Sequence, residues 1–332
     1  MRMLSPSRRT RAAAWLTAVA SGATLLATVG ATTGAAPVRH AAKHYTIALI
    51  PGLTTDPFYI SMGIGAEAAA KKLGVTLLWQ GAPTWSVSQQ TPYVAAMVSR
   101  HVNAILIAPT DVKQLIPPIR NAVKAGIPVI TVDTTIADQS LLKSAITSNN
   151  FQGGEVAAKM MAQQIGGKGE VAVINTLPGI STTDARQAGF VAEMKHFPNI
   201  KIVAMEYDND QQTTAETDAQ HILLRYPGLK GIFGTNLYSA VGAAAGVEQA
   251  GKIGAVKVFG YDAEPLEVQD LQKGLLSAIV AQKPYLEGYL GVEYAVDVLE
   301  GKSVPKSVQL PNVVITRANL KANAQWIYKT HL

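Results

Sequence analysis

The chain predicts an α/β protein of two doubly wound, Rossmann-like lobes on parallel sheets, and three observations carry that prediction. From Tyr45 onward, short aliphatic and β-branched runs alternate with helical patterns, the order expected of βαβ units. The alternation comes in two series, separated by the polar stretch TTIADQSLLKSAITSNN at 134–150. The 332 residues exceed one common domain and suit two cores, and 48% apolar against 16% charged residues is a globular balance.

The first 42 residues stand apart from this pattern. They hold Arg2, Arg8, Arg9, Arg11 and Arg39 and no acid, so five of the chain's six net positive charges lie there and the remainder is almost neutral. A basic start, an apolar run from Ala12 to Val29 and small residues beyond it read as a secretory signal, with candidate cuts after Ala31 or Ala35. Ser7-Arg8-Arg9 loosely matches a twin-arginine signal, so the general and twin-arginine routes both stay open. An uncleaved anchor is the alternative, weakened by the Gly and Thr content of the run. The expected location is periplasmic or extracellular. There is no cysteine, so the exported chain must hold together by core burial and carries no lipid-bearing thiol.

In the first series the strands read YTIALIP (45–51), VTLLWQ (75–80), NAILIAP (103–109) and IPVITVD (127–133). Helices are expected near 57–73, 88–100 and 113–125, the first and third closed by Gly74 and Gly126. In the second series the strands read GEVAVIN (169–175), KIVAMEY (201–207), LKGIFGT (229–235), AVKVFGYD (255–262) and LLSAIVAQ (275–282). Helices are expected near 151–165, 185–196, 211–225, 238–250 and 284–300.

Ligands of open α/β sheets bind beyond the carboxyl ends of the strands, which turns strand-end residues into candidates. Asp56, Phe58 and Tyr59 follow the first strand; Asp133 and Thr134 end the fourth; Asn175 and then Arg186 follow the strand at 169–175; Asn236, Asp262 and Gln282 end the last three. Carboxylates, amides and one guanidinium supply donors and acceptors for neutral hydroxyl groups, and an aromatic face packs on the C–H side of a sugar ring. Each residue also has a structural reading. Asp56 before Pro57 is an N-cap with proline at N1, Asn236 and Asp262 can cap the helices after them, and Phe58 and Tyr59 can be core. Trp85 either stacks on ligand or packs against its own loop, and Gln89 and Gln90 either reach the ligand or merely open a helix.

The ordered set TTDPFY, TVD, RQAGF, FGTN, GYDAEP and VAQKP resembles the type I periplasmic sugar-binding proteins, the ribose-binding-like receptors of ABC transporters, over about 45–315. The resemblance implies two lobes joined by a three-crossing hinge, 43–147 plus 283–311 and 148–282 plus 312–332, with a sugar clamped between them. It implies contacts from Asp56, Phe58, Tyr59 and Asp133 on one side, Arg186, Asn236 and Asp262 on the other, and Gln282 at the hinge. The chain departs from the ribose binders where Thr134 follows the strand-four acid in place of arginine. It departs again where Asp184 stands at a second arginine position and the run Asp208-Asn209-Asp210 replaces an aromatic, which adds Asp184 and Asp210 to the candidates. Fewer arginines and more acids argue for a pentose other than ribose, a hexose or a linear polyol.

The expected function is therefore capture of a sugar or polyol and delivery to an ABC transporter permease by a monomer that hinges shut. The alternative is a loaded partner for a chemoreceptor or histidine kinase. An enzyme is disfavoured: no nucleotide-binding glycine loop and no G-x-S-x-G elbow occurs, and the glycines of SMGIGAE fall inside a helix. His40, His44, His101, His196, His221 and His331 are scattered, so no metal is expected, and no cofactor. A nucleic-acid partner is disfavoured because the exported part has no basic footprint, and the signal leaves no room for a DNA-binding domain.

Overall fold

The computed structural model describes residues 44–331; the export signal expected over 1–42 lies outside the described residues. The first series gives β1 (Thr46–Ile50), α1 (Pro57–Leu73), β2 (Thr76–Trp79), α2 (Val87–Ser99), β3 (Ala104–Ile107), α3 (Ile116–Lys124), β4 (Val129–Val132) and β5 (Ser144–Ser148). After α4 (Asn150–Gln164), the second series gives β6 (Gly169–Asn175), α5 (Ser181–Met194), β7 (Ile200–Tyr207), α6 (Gln212–Arg225), β8 (Leu229–Gly234) and α7 (Leu237–Gln249). It continues with β9 (Lys257–Tyr261), α8 (Pro265–Lys273), β10 (Ala278–Ala281) and α9 (Pro284–Leu299), and closes with β11 (Ser307–Leu310) and β12 (Val313–Ile315).

The strands form two six-stranded sheets of equivalent order, β11-β5-β4-β3-β1-β2 and β12-β10-β9-β8-β6-β7. All pairs are parallel except β12 against β10, so the second sheet has one antiparallel edge. Each sheet with the helices on it forms a lobe. Strand side chains alternate between faces, and β1 shows it: Ala48 and Ile50 pack with Val94, Met97 and Ile119 beneath α2 and α3. Ile47 and Leu49 enter the cluster that holds Met62 and Ala66 of α1 and Val292 of α9. In the second lobe Val171, Val173, Phe233 and Phe259 meet Ala157, Met161 and Phe190 on one face in the same way.

The chain passes from one sheet to the other after β5, after β10 and between β11 and β12. The first two passages exchange helices. α4, which leaves the first sheet, packs on α5 of the second lobe, and α9, which leaves the second, packs on α1 of the first. Both pairs touch backbone to backbone. A Cβ on Gly65 would fall on the Tyr285 carbonyl and one on Gly288 on that of Met62, while Gly154 and Gly189 stand against the carbonyls of Arg186 and Phe151. The glycine of RQAGF therefore serves helix packing, and its phenylalanine, Phe190, is fully buried.

Six elements depart from the sequence expectation. The stretch 134–150 is not wholly irregular, because SAITS at 144–148 forms β5 between β4 and β11. The charged α8 and the short β11 and β12 were outside both series. Helix α3 starts at Ile116 rather than 113, since Asp111 forms a turn that accepts the amides of Lys113 and Gln114, both at 2.7 Å. Helix α5 starts at Ser181, four residues early, and that shift matters for the site.

Candidate functional site

Between the carboxyl ends of the two sheets lies a cavity of about 440 Å³, the space at its mouth included. Ten of the twelve candidate side chains line it: Asp56, Phe58, Tyr59, Trp85, Asp133, Arg186, Asp210, Asn236, Asp262 and Gln282.

From the first lobe, Asp56 caps α1 by accepting the Phe58 amide at 2.7 Å, with Pro57 at N1. Capping and facing the cavity are thus combined in one residue. Phe58 and Tyr59 are buried and set edge to face, with ring centroids 5.0 Å apart. The Tyr59 hydroxyl donates to Asp133 Oδ2 at 2.6 Å. Trp85 lines the cavity, and its Nε1 donates to the Thr110 carbonyl, in the loop after β3, at 3.1 Å. Gln89 and Gln90 do not line the cavity. Gln90 is buried and knits strand ends, donating to the carbonyls of Pro51 and Ala108 and accepting from Thr110.

From the second lobe, Arg186 is buried, stacked 3.8 Å from the centre of the Tyr261 ring, and donates to Asn150 Oδ1 at 2.8 Å and the Thr235 carbonyl at 2.9 Å. One carboxyl oxygen of Asp262, Oδ2, lies 3.9 Å from this guanidinium. The other, Oδ1, accepts from Gln282 Nε2 at 2.6 Å. Asn236 caps α7 by accepting the Ser239 amide at 3.0 Å and turns its Nδ2 to Asp210 Oδ1 at 2.7 Å. Asp262 does not cap the following helix. Glu264 takes that place in a capping box with Glu267.

Two expected residues are not brought in. The chain turns at Asp133, whose φ is 63°, and the Thr134 hydroxyl goes back to the Pro109 carbonyl at 2.8 Å. Asp184 accepts the Gly179 amide at 2.9 Å. Because α5 begins at Ser181, Asp184 stands about 200° around the helix from Arg186, whereas Thr182 and Thr183, four and three residues before it, share the arginine's face. Those two threonines line the cavity in its place, joined by Thr176, Ile180 and Leu53. Thr176 directly follows Asn175 at the end of β6, a position the strand-end rule reaches. Asn175 itself turns away, to Gln187 at 2.9 Å and Thr235 at 2.7 Å.

The site holds more acid than base. Burial pushes the Asp56 carboxyl up to about 6, against the pull of Glu264 and the Phe58 amide. Burial likewise raises Asp133 to about 7, partly offset by the Tyr59 hydroxyl and the Arg186 charge. Asp262 and Asp210 are raised for the same reason, eased by Arg186 for the first and by Asn236 for the second. Behind them Glu264, Glu267 and Glu287 are raised well above the carboxylate range by burial and neighbouring acids. Near neutral pH these groups mix ionised acceptors with protonated donors, so they can answer both the oxygen and the proton of a hydroxyl. Among the described residues, no group of three or more His, Cys, Asp or Glu is placed to hold a metal ion.

Residues 47–303 match the family model described as the periplasmic binding protein domain. The ribose import binding protein of Bacillus subtilis is 32% identical over 271 residues, 81% of this chain and 86% of that protein. Among solved structures, an ABC transporter solute-binding protein from Agrobacterium vitis bound with α-D-tagatopyranose is 43% identical, with a TM-score of 0.84 over 86% of this chain and 99% of that one. One from Actinobacillus succinogenes with bound D-allose is 32% identical, with a TM-score of 0.78 over 84% and 99%.

Proposed function

The chain belongs to the periplasmic binding protein family, and from that premise we propose that it captures a monosaccharide or polyol outside the cytoplasm and hands it to an ABC transporter permease. It is a binding protein rather than an enzyme. One observation carries the reading. Acceptors and donors from both sheets, Asp56 and Asp133 on one side and Arg186, Asn236 and Asp262 on the other, surround a single cavity roofed by Phe58, Tyr59 and Trp85. A cavity so furnished rewards a guest that offers a hydroxyl to every polar group, and leaves a buried partner unsatisfied when one hydroxyl is missing.

The tagatose-bound structure, at 43% identity, supports a hexose ahead of ribose, as does the shortage of arginine around Asp133 and Asp184. The relatives' role in import supports a permease as the partner, ahead of a chemoreceptor or histidine kinase. The lobes open to admit the guest and close on it, with the three chain passages absorbing the backbone change. A protein that works by this motion is expected to act as a monomer. Titration calorimetry of the mature protein with D-tagatose, D-allose, D-ribose, D-glucose and their alditols tests the reading. Tight binding of one or two members is expected, and an Asp262→Ala variant should lose at least tenfold in affinity. Heat-silent titrations together with unmoved melting temperatures for the whole panel would remove it.

A further inference from the structure

The family match ends at residue 303, yet the chain returns to the site after that point. A short 3-10 turn, Lys321–Trp326, leads into a strap that bridges the lobes behind the cavity. On the second lobe, the Tyr328 amide donates to the Ala263 carbonyl at 3.0 Å. On the first, the Lys329 amide donates to Ser61 Oγ at 2.7 Å, and the Tyr328 ring stands edge-on to Phe58 with centroids 5.7 Å apart. Beneath the strap is a second cavity of about 670 Å³, bounded in part by Ser61, Pro284, Leu286 and Ile327. These bonds hold the strap together with the buried Tyr328 ring, which belongs to the main core cluster, and with Trp326 and Ile327, which pack half-buried against it.

The hydroxyl of Tyr328 sits at a junction. It accepts the Gln282 backbone amide at 2.9 Å and donates to Asp262 Oδ1 at 3.2 Å. Gln282 Nε2 donates to the same oxygen at 2.6 Å. With Oδ1 held by two protein donors, the carboxylate cannot spin about its last bond, and Oδ2 is the oxygen left for Arg186 and for a guest. We propose that Tyr328 is a positioning residue of the sugar site, fixing Asp262 and Gln282 in the orientation that receives the guest's hydroxyls and tying that orientation to the C-terminal strap. The inference rests on the sugar-binding reading given above.

Tyr328→Phe keeps the ring against Phe58 and removes only the hydroxyl. In the full mature chain, its affinity for D-tagatose or D-allose, whichever the unaltered protein binds, should fall about tenfold, equivalent to about 1.4 kcal/mol. On an Asp262→Asn background the same change should alter affinity less than twofold, because the group it positions is already impaired. A tail that merely packs would give equal losses on both backgrounds, and that result, or unchanged affinity, overturns the proposal. A second arm needs no sugar. In Tyr328→Phe the Gln282 amide should exchange with solvent faster, and the Asp262 carboxyl, followed by carbon NMR, should titrate at higher pH. If no member of the sugar and alditol panel binds the unaltered protein, the sugar reading falls by itself. This arm then decides the positioning role, and unmoved exchange and titration overturn it.

Discussion

Asp133 and Asp262 end equivalent strands, β4 and β9, and share a backbone that non-glycine residues rarely adopt, with φ of 63° and 97°. Each donates its amide to the next strand, to the Ile146 and Val280 carbonyls at 2.9 Å. Strain of this kind costs about 1–3 kcal/mol per residue and persists where surrounding structure imposes it; here it swings each carboxylate off the strand and into the cavity. Asparagine tolerates the same backbone, so Asp133→Asn should fold and yet bind sugar at least tenfold more weakly by calorimetry. The raised carboxyls also set a pH dependence. Asp133 at about 7 and Asp56 at about 6 bind protons in the folded protein that the unfolded chain, near 4, has released. Their contribution to stability is therefore complete below about pH 4 and is lost as pH rises through 6 to 7. The unligated protein should melt higher at pH 5 than at pH 8, and Asp133→Asn should flatten that slope in a calorimetric series. The strand-end rule made Asp56, Asp133, Asn236, Asp262 and Gln282 legible in the sequence, because a strand's end points its next side chain at the crevice. It could not reach Tyr328, which arrives from a distant turn with no motif of its own, nor assign Thr182 and Thr183, whose direction depends on where α5 begins.

The helices α1 and α9 meet through Gly65 and Gly288, and α4 and α5 through Gly154 and Gly189. Gly65→Ala should force the first pair apart and destabilise the protein by about 2 kcal/mol, at the level of overpacked cores, read as a lower urea midpoint with an unchanged slope. Sugar affinity, measured well below the transition, should change by less than threefold, since Gly65 does not line the cavity. The periodic elements were legible because both faces of each sheet are covered, which writes the strands as nearly continuous apolar runs. Where that cover fails the signal fails. β5 reads SAITS, with serines at both ends that bond to the Pro305 carbonyl and to Glu287. β11 at the sheet edge is half exposed. The fully buried Glu267 within α8 breaks the apolar face by which a helix of nine residues would be recognised.

The two lobes also touch across the rim of the cleft. The Val112 amide donates to the Gly179 carbonyl at 3.2 Å, and the Thr135 amide to Ser181 Oγ at 3.0 Å. Both bonds join rim loops that opening would part, so closure depends on what fills the cavity. Small-angle scattering should give a larger radius of gyration without sugar than with it, and Ser181→Ala should widen that difference. Equal radii in both conditions would contradict the hinged motion. The equivalence of the two sheets was legible from the repeated series, whereas the rim bonds, which join unpatterned loops, were not.

The traded helices α4 and α9 carry one more consequence. Each lobe is roofed by a helix that leaves the opposite sheet, so a polypeptide stopped near residue 149 would lack the partner of α1 and expose its glycine face to solvent. Neither half can serve as a free-standing module, and any viable split must reunite both fragments before either is complete.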